Sequence, residues 1–168
     1  MSNTVYLEQE FGWTGLLIEA NPKYRQSLSG RKAVAVQAAV TAERRTYEFR
    51  DAGLYGGVEE HLDRRHRHFT NSSNVIQVQG KPLEDILSES GAPALIDYIS
   101  IDVEGAELPI VEQLSKTRKF RFRCGTIEHN FRLHELNKMK GILADAGYEA
   151  VWVDNTGHDL FFIDKTTP

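Results

Sequence analysis

The sequence predicts one α/β domain over residues 1–168, built on a mostly parallel sheet with helices on both faces. Apolar strand-like runs alternate with helical patterns along the chain, which is typical of parallel α/β proteins. A length of 168 residues suits a single domain. Two further strand-like segments follow the last helical pattern, and we expect them to form an antiparallel hairpin at the edge of the sheet.

The first half of the chain predicts two buried strands and a pair of half-exposed ones. Leu16-Leu17-Ile18 does not alternate with polar residues, which favours a strand covered on both faces. Gly12 and Pro22 indicate a helix end and a helix start on either side of that strand. The resulting assignment places helices at 2–11 and 22–29 and strands at 13–20, 32–40, 45–50 and 74–79. We expect the last two strands to pair.

The second half continues the alternation with longer elements. The run from Leu95 to Val103 is the strongest buried-strand signal in the chain. Apolar residues at helical spacing predict a helix after Pro82, one near 106–114 and one near 133–146, the last ended by Gly147. Further strands are predicted at 120–128, 148–153 and 159–163.

Composition excludes several functional classes. A formal charge of −4 gives no electrostatic reason to expect nucleic-acid binding. No apolar run approaches the roughly 18 residues of a membrane-spanning helix. Cys124 is the single cysteine, so no internal disulfide can form. The N-terminus has neither the basic start nor the apolar stretch of a signal peptide, so we predict a cytoplasmic protein.

Ionisable residues recur where the predicted strands end, at the edge where open parallel sheets bind ligands. Asp102 follows a run of buried residues, and Gly105 permits a tight turn into the next helix. Carboxylates at this place can orient a hydroxyl, take its proton or hold a divalent ion. The alternative is that Glu104 and Glu107 are first-turn acids favoured by the helix dipole, but that alternative explains Asp102 poorly.

Two other strand ends carry candidates. Glu19 can accept hydrogen bonds from both hydroxyls of a ribose, or it can simply cap the helix near Pro22. His129, at the end of the strand with Glu128, is a candidate general base, and a histidine bonded to a local loop is the alternative. A metal held by Asp102, Glu104 and His129 is a further alternative, although we assign no metal site.

Three blocks of sequence, in the same order and covering nearly the whole chain, resemble the FkbM-like methyltransferase family. The block Asp102-Val103-Glu104-Gly105-Ala106-Glu107 is the most specific. The matching blocks are Ser2-Asn3-Thr4 with the segment Gly12 to Pro22, then Ile96 to Glu107, then Thr126-Ile127-Glu128-His129-Asn130.

The resemblance implies a Rossmann-like class I methyltransferase fold that binds S-adenosylmethionine and methylates hydroxyls of sugars or other small natural products. It implies that Asp102 and Glu104 face the methyl-transfer centre, with His129, or less favourably Glu128, as the base for the acceptor hydroxyl. On the cofactor side it implies Asn3, Glu19, Asn21, Ala39 and Asp102. Glu19, Asp102 and His129 are therefore expected to share one rim.

One feature of the family is missing. A strand and a glycine-rich turn precede the segment matched here by Ser2-Asn3-Thr4, and we expect this chain to begin after them. Without that strand, neighbouring strands would keep unpaired edges unless they close up or another chain fills the gap. The competing hypothesis is a degenerate, non-catalytic module that assembles with a partner or with itself. The partners we expect are a small-molecule acceptor such as a saccharide and, by self-association, a second copy of the chain.

Overall fold

The computed structural model describes residues 4–62, 67–151 and 157–167. The chain divides into two compact units, Met1–Pro82 and Leu83–Pro168. Helices and strands occur in both units, which confirms the α/β class. The assignment of a single domain to residues 1–168 remains a prediction.

The first unit is built from short elements. In chain order they are α1 (Val5–Phe11), β1 (Leu16–Glu19), a 3₁₀ turn (Pro22–Tyr24), α2 (Arg25–Leu28), β2 (Val34–Gln37), β3 (Ala39–Val40), β4 (Thr46–Asp51), a second 3₁₀ turn (Gly53–Tyr55), β5 (Gly57–Val58), α3 (Arg67–Thr70) and β6 (Asn74–Lys81). Among the described residues, these strands form two sheets, with the orders β1-β2 and β3-β6-β4-β5. The strand predicted over 32–40 is therefore divided between two sheets, at Ala38.

The pairing of β4 with β6 confirms the sequence prediction for residues 45–50 and 74–79. The two strands run antiparallel, from Thr46 opposite Gln79 to Asp51 opposite Asn74. Alternate side chains of a strand point to the same face, so one face of this sheet can bury its apolar residues. That face forms the core of the sheet, made of Ala39, Tyr47, Phe49, Val58 and Val78.

Buried Glu8 fastens α1 to the segment before β2. Its Oε1 accepts a hydrogen bond from the Lys32 backbone N–H at 2.8 Å, and its Oε2 accepts one from Arg31 Nε at 3.0 Å. The helix ends at Gly12, whose left-handed φ of 67° suits a residue without a side chain. The predicted end of the first helix is thereby confirmed, while residues 1–3 lie outside the described part of the chain.

The strands β1 and β2 are less buried than the sequence predicts. They pair in parallel, with Leu16 opposite Val34 and Glu19 opposite Gln37. All four residues of β1 are half-buried, and most of β2 is exposed, with Val34 at 61%. Within the described residues these two strands form a sheet only with each other, and a two-stranded sheet covers little of its own surface.

The second unit has longer elements and one sheet among its described residues. The sheet has the order β7-β8-β10-β9, and its helices lie between consecutive strands of the chain. In chain order the elements are α4 (Leu83–Glu89), β7 (Leu95–Ile101), α5 (Glu107–Lys116), β8 (Arg121–Glu128), α6 (Leu133–Asp145), β9 (Tyr148–Val151) and β10 (Asp159–Asp164).

The predicted C-terminal hairpin is present, but its antiparallel strand is not the edge strand. β7 pairs in parallel with β8, and β10 runs antiparallel to both β8 and β9. Consequently β10 lies inside the sheet and β9 forms its edge. Across the whole described chain, parallel and antiparallel pairs both occur, so the sheets are mixed rather than mostly parallel.

β7 differs most from its sequence prediction. Ile101 is its one buried residue, and Asp97 is exposed, although the run is strongly apolar. The reason is position, because within the described residues β7 pairs with β8 alone and leaves its other edge without a strand. The core of the unit lies on the other elements and includes Ile110, Val111, Phe120, Phe122, Ile127, Met139, Leu143, Leu160 and Phe162.

Within the part of the chain that the structure describes, every helix is too short or too polar to cross a membrane.

Candidate functional site

The candidate site in the second unit begins where β7 ends. The loop 102–106 leads from β7 into α5 and places the Asp102 side chain in contact with solvent. Glu104 and Gly105 have left-handed φ values of 57° and 126°. The second value is accessible to glycine and strained for other residues, so the tight turn predicted at Gly105 is confirmed.

The Glu107 carboxylate fixes the loop 102–106 by accepting hydrogen bonds from its backbone. Glu107 is 0% exposed. Its Oε1 accepts hydrogen bonds from the Val103 and Gly105 backbone N–H groups, each at 3.1 Å, and its Oε2 also accepts from Gly105 at 3.1 Å. Glu107 is therefore more than a first-turn acid favoured by the helix dipole, because its carboxylate oxygens also accept hydrogen bonds from the backbone of the turn.

Three carboxylates meet at the ends of β7 and β8. One carboxylate oxygen from each of Asp102, Glu104 and Glu128 lies within 4.8 Å of the others, and we call these three residues the carboxylate cluster. Asp102 is exposed, whereas Glu104 and Glu128 are half-buried. Asn130 Nδ2 donates a hydrogen bond to Glu128 Oε2 at 2.7 Å. Such a cluster can bind a cation or a hydrogen-bond donor, although acidic groups also gather at surfaces without either.

The cluster shares a proton between Asp102 and Glu128. Burial, the neighbouring carboxylates of Asp102, Glu104 and Glu107, and a hydrogen bond to Asp102 raise the pKa of Glu128 to about 8. Removal of water from around its carboxyl group also raises the pKa of Asp102, against the hydrogen bond that Glu128 donates to it. At neutral pH, Glu128 is therefore protonated and donates this hydrogen bond, and Asp102 accepts it.

His129 follows Glu128 in the chain but faces the other side of the sheet. Its backbone N–H donates to the His158 carbonyl at 2.7 Å, which extends the β8–β10 ladder by one residue. Successive residues of a strand face opposite sides of the sheet, so the His129 ring is directed away from Glu128. The structure thus brings Asp102 and Glu104 together with Glu128, and it leaves His129 outside that group.

The His129 ring lies in buried surroundings. It is 3% exposed, and within the described residues neither ring nitrogen has a hydrogen-bond partner. Burial lowers the pKa of the imidazole, with Asp159 opposing that shift and His158 and Arg132 adding to it. The ring is consequently neutral at pH 7, and the catalytic role implied for it stays a prediction.

Arg132 links the loop after β8 to Glu107. Its Nη2 lies 2.5 Å from Glu107 Oε2, and its Nη1 lies 2.7 Å from Glu135 Oε2. Its backbone N–H donates to the His129 carbonyl at 2.7 Å. The sequence alone does not distinguish this arginine, since an isolated arginine near a helix start resembles any solvated charge.

Two residues of the same loop are conformationally strained. Asn130 and Phe131 have φ values of 45° and 57°. Asparagine tolerates the left-handed region, whereas phenylalanine pays about 1–3 kcal/mol for it. Together with Glu104, a member of the carboxylate cluster, these are the non-glycine residues of the described chain with positive φ, and all three lie in the loops that follow β7 and β8.

The first unit carries the residues implied for cofactor binding. Glu19 ends β1, burial raises the pKa of its carboxyl group, and its Oε1 accepts the Asn21 backbone N–H at 2.7 Å. Asn21 itself caps the 3₁₀ turn by accepting the Lys23 N–H at 3.1 Å, and its Nδ2 donates to Asp51 Oδ1 at 2.9 Å. Asn21 therefore supplies the cap of this turn, and Glu19 bonds to the backbone N–H of that capping residue.

Two further cofactor-side predictions remain. Ala39 is buried in β3, opposite Gly80 of β6. Asn3 lies outside the described residues. That Glu19 shares a rim with Asp102 stays a prediction, and sequence reasoning missed the bond between Asn21 and Asp51.

Comparison with known proteins gives one match. A family model described as the methyltransferase FkbM domain matches residues 1–150. No curated protein and no solved structure matches the chain.

Proposed function

Because the chain belongs to the FkbM methyltransferase family, we propose that it transfers a methyl group from S-adenosylmethionine to a hydroxyl of a sugar or another small natural product. The family match covers most of the chain, and it is the observation that carries the proposal. The carboxylate cluster adds support, because it places the exposed residue Asp102 beside the end of a parallel strand pair.

The proposed fold is a Rossmann-like class I methyltransferase sheet. Parallel pairing of β1 with β2 and of β7 with β8 supports the Rossmann-like assignment. The antiparallel pairing of β9 with β10 supports the C-terminal hairpin of that fold. The apolar but half-buried residues of β7 support a further strand as a neighbour.

In this proposal Glu19 accepts hydrogen bonds from the ribose hydroxyls of the cofactor. The fit is chemical: a half-buried carboxylate at a strand end has one oxygen bonded to the Asn21 N–H and retains further acceptor sites. Asn21 is occupied by Lys23 and Asp51, so its role is to fix the loop after Glu19 rather than to present its amide. Ala39, in the same unit as Glu19, belongs to the proposed cofactor side as well.

The cofactor supplies a methyl group on a positively charged sulfur, which is already an activated leaving group. Catalysis by this chain is therefore mainly positioning and exclusion of water. Asp102 would accept the proton of the acceptor hydroxyl, and the bound cofactor would supply the activated methyl group to that oxygen. Burial and the nearby Glu107 carboxylate raise the pKa of Asp102, and the hydrogen bond from Glu128 opposes that rise.

The proposal moves the role of base from His129 to Asp102. His129 has a buried ring and faces away from the cluster, so it could reach an acceptor only after its ring became exposed. Asp102 is exposed, and it accepts a hydrogen bond from protonated Glu128. Base assistance of this kind contributes about 10²–10⁴-fold to a rate.

The partners in the proposal are the small-molecule acceptor and a second copy of the chain, and the location is the cytoplasm. A single cysteine, Cys124, suits a reducing compartment. Sedimentation equilibrium tests the self-association directly.

The experiment follows transfer of tritium from [methyl-³H]S-adenosylmethionine to a panel of monosaccharides, glycosides and small phenols. We expect at least one acceptor to be labelled on oxygen, with Asp102→Asn about 10²-fold slower or worse. Magnesium and chelator are each added in parallel, because the alternative of a metal enzyme predicts dependence on the ion. Absence of transfer and of cofactor binding would favour the non-catalytic module.

A further inference from the structure

We propose that Glu107 and Arg132 form a positioning pair that presets the carboxylate cluster by holding together the two loops that carry it. The loops are 102–106, after β7, and 129–132, after β8. Neither residue of the pair belongs to the cluster, so the pair acts through other side chains. The role of this pair in catalysis rests on the proposed function, whereas its contacts with the two loops do not depend on that function.

The first loop is fixed by Glu107 through backbone bonds. Both of its carboxylate oxygens accept the Gly105 N–H, and one also accepts the Val103 N–H. These N–H groups flank Glu104, whose own φ of 57° is left-handed. The direction of the Glu104 side chain is therefore set by a carboxylate three residues further along the chain.

The second loop is fixed by Arg132 in the same manner. Its backbone N–H and its Nε both donate to the His129 carbonyl, at 2.7 and 3.4 Å. Its Nη1 pairs with Glu135 in the first turn of α6. The Arg132 guanidinium thereby connects the residues that follow Glu128 to α6. Its other terminal nitrogen, Nη2, contacts Glu107.

Burial makes the contact between the loops specific. The Glu107 side chain is 0% exposed and the Arg132 side chain 11% exposed. A buried pair of opposite charges is stable only when its remaining polar atoms are also bonded, and both partners satisfy that condition here. A guanidinium provides several donors in one plane, which an ammonium group cannot reproduce.

Both loops held by the pair contain residues with strained backbone conformations. Glu104, Asn130 and Phe131 all adopt left-handed φ values, and each lies in one of the two held loops. Strained conformations persist where surrounding contacts over-determine them. Loosening of the pair should therefore let both loops relax and let the three carboxylates separate.

The test is Arg132→Lys, which keeps the positive charge and removes the planar fork. The matched control is Arg121→Lys in the same unit, where Arg121 pairs with the 1% exposed Asp164 side chain on the sheet, outside both loops. The readout is the titration of the Glu128 side-chain carboxyl carbon by NMR. Carboxylate neighbours around Glu128 are Asp102, Glu104 and Glu107, so its midpoint reports their separation.

We expect wild type to titrate near pH 8 and Arg132→Lys to titrate at least about one pH unit lower, toward the ordinary value of 4.5. Arg121→Lys should lower the melting temperature and leave the midpoint unchanged. If Arg132→Lys lowers the melting temperature without moving the midpoint, the pair is merely structural and the proposal is overturned. A wild-type midpoint near 4.5 overturns it as well.

A second measurement covers the case in which Arg132→Lys does not fold. Hydrogen exchange on wild type should show the Val103 and Gly105 amides as protected as those within β7, because both donate to buried Glu107. Exchange of these amides at the rate of an open loop contradicts the proposal. Neither measurement uses S-adenosylmethionine, so failure of wild type to bind the cofactor would defeat the proposed function and leave the positioning pair standing.

Discussion

Glu128 donates a hydrogen bond to the Asp102 carboxylate, at the point where the parallel strands β7 and β8 end side by side. Because its pKa is raised to about 8, the Glu128 carboxyl group is protonated at neutral pH. The presence of this proton in the folded state has a consequence for stability, since an unfolded Glu128 would ionise near its ordinary pKa of 4.5.

Replacement of Glu128 by glutamine should change how stability depends on pH. Between pH 4.5 and about 8, folded Glu128 holds a proton that the unfolded side chain has released. The wild-type free energy of unfolding should therefore fall as pH rises through this range, by at most about 1.4 kcal/mol per pH unit. Glu128→Gln lacks this contribution, and urea denaturation at a series of pH values compares the two slopes.

The exposed Glu149 on β9 provides the control for that comparison. Glu149→Gln should reproduce the wild-type slope, because its side chain lies outside the carboxylate cluster. Identical slopes for wild type and Glu128→Gln would contradict the shared proton.

Substitution of His129 by leucine should leave the protein as stable as wild type or more stable by about 1 kcal/mol. The ring is buried, and within the described chain its two nitrogens have no hydrogen-bond partner, an unfavourable situation that leucine removes. The measurement is urea denaturation at pH 7. The exposed His158 is the control, since His158→Leu loses the 3.1 Å bond between its Nδ1 and Asn130 Oδ1.

The two His129 hypotheses differ in this experiment. A loss of more than about 2 kcal/mol in His129→Leu would show that the ring makes a bond in the folded state. Unchanged transfer activity in the same variant would support Asp102 as the base, whereas loss of transfer at full stability would return that role to His129.

Alanine substitutions at two glycines of the second unit should act in opposite directions. A Cβ on Gly125 would lie 2.6 Å from both the Ile99 carbonyl oxygen and the Phe162 ring, so Gly125→Ala should destabilise the sheet by about 1–3 kcal/mol. Gly141 is exposed in α6 with open space around it, so Gly141→Ala should stabilise by about 0.5–1 kcal/mol. Thermal denaturation distinguishes the two. Equal changes in melting temperature for the two variants would contradict the close packing around Gly125 in β8.

The local sequence pattern predicted the helices and strands of this chain well. Its errors concern how deeply strands are buried, which depends on the strands beside them. The alternation of Tyr47 and Phe49 with polar residues gave the pairing of β4 with β6 correctly, because one buried face imposes that period. The apolar runs of β1 and β7 predicted burial that the structure does not show, since burial depends on which strands lie on either side.

For the site, the sequence placed Asp102, Glu104 and Glu128 at the ends of strands that prove to be adjacent. It favoured His129 over Glu128 because a histidine has the ordinary pKa of a base. The side chain's face follows from strand alternation, and sequence alone did not fix where β8 ends. Arg132 and its bond to Glu107 depend on loop geometry, which no periodicity encodes.

The central claim is that this chain uses S-adenosylmethionine, and calorimetric titration of the cofactor into the purified protein tests it most directly. We expect one site per chain, weakened at least about tenfold in Glu19→Ala by loss of charged acceptor contacts and unaffected in the exposed control Glu48→Ala. No measurable heat, or an affinity that Glu19→Ala leaves unchanged, would contradict the assignment.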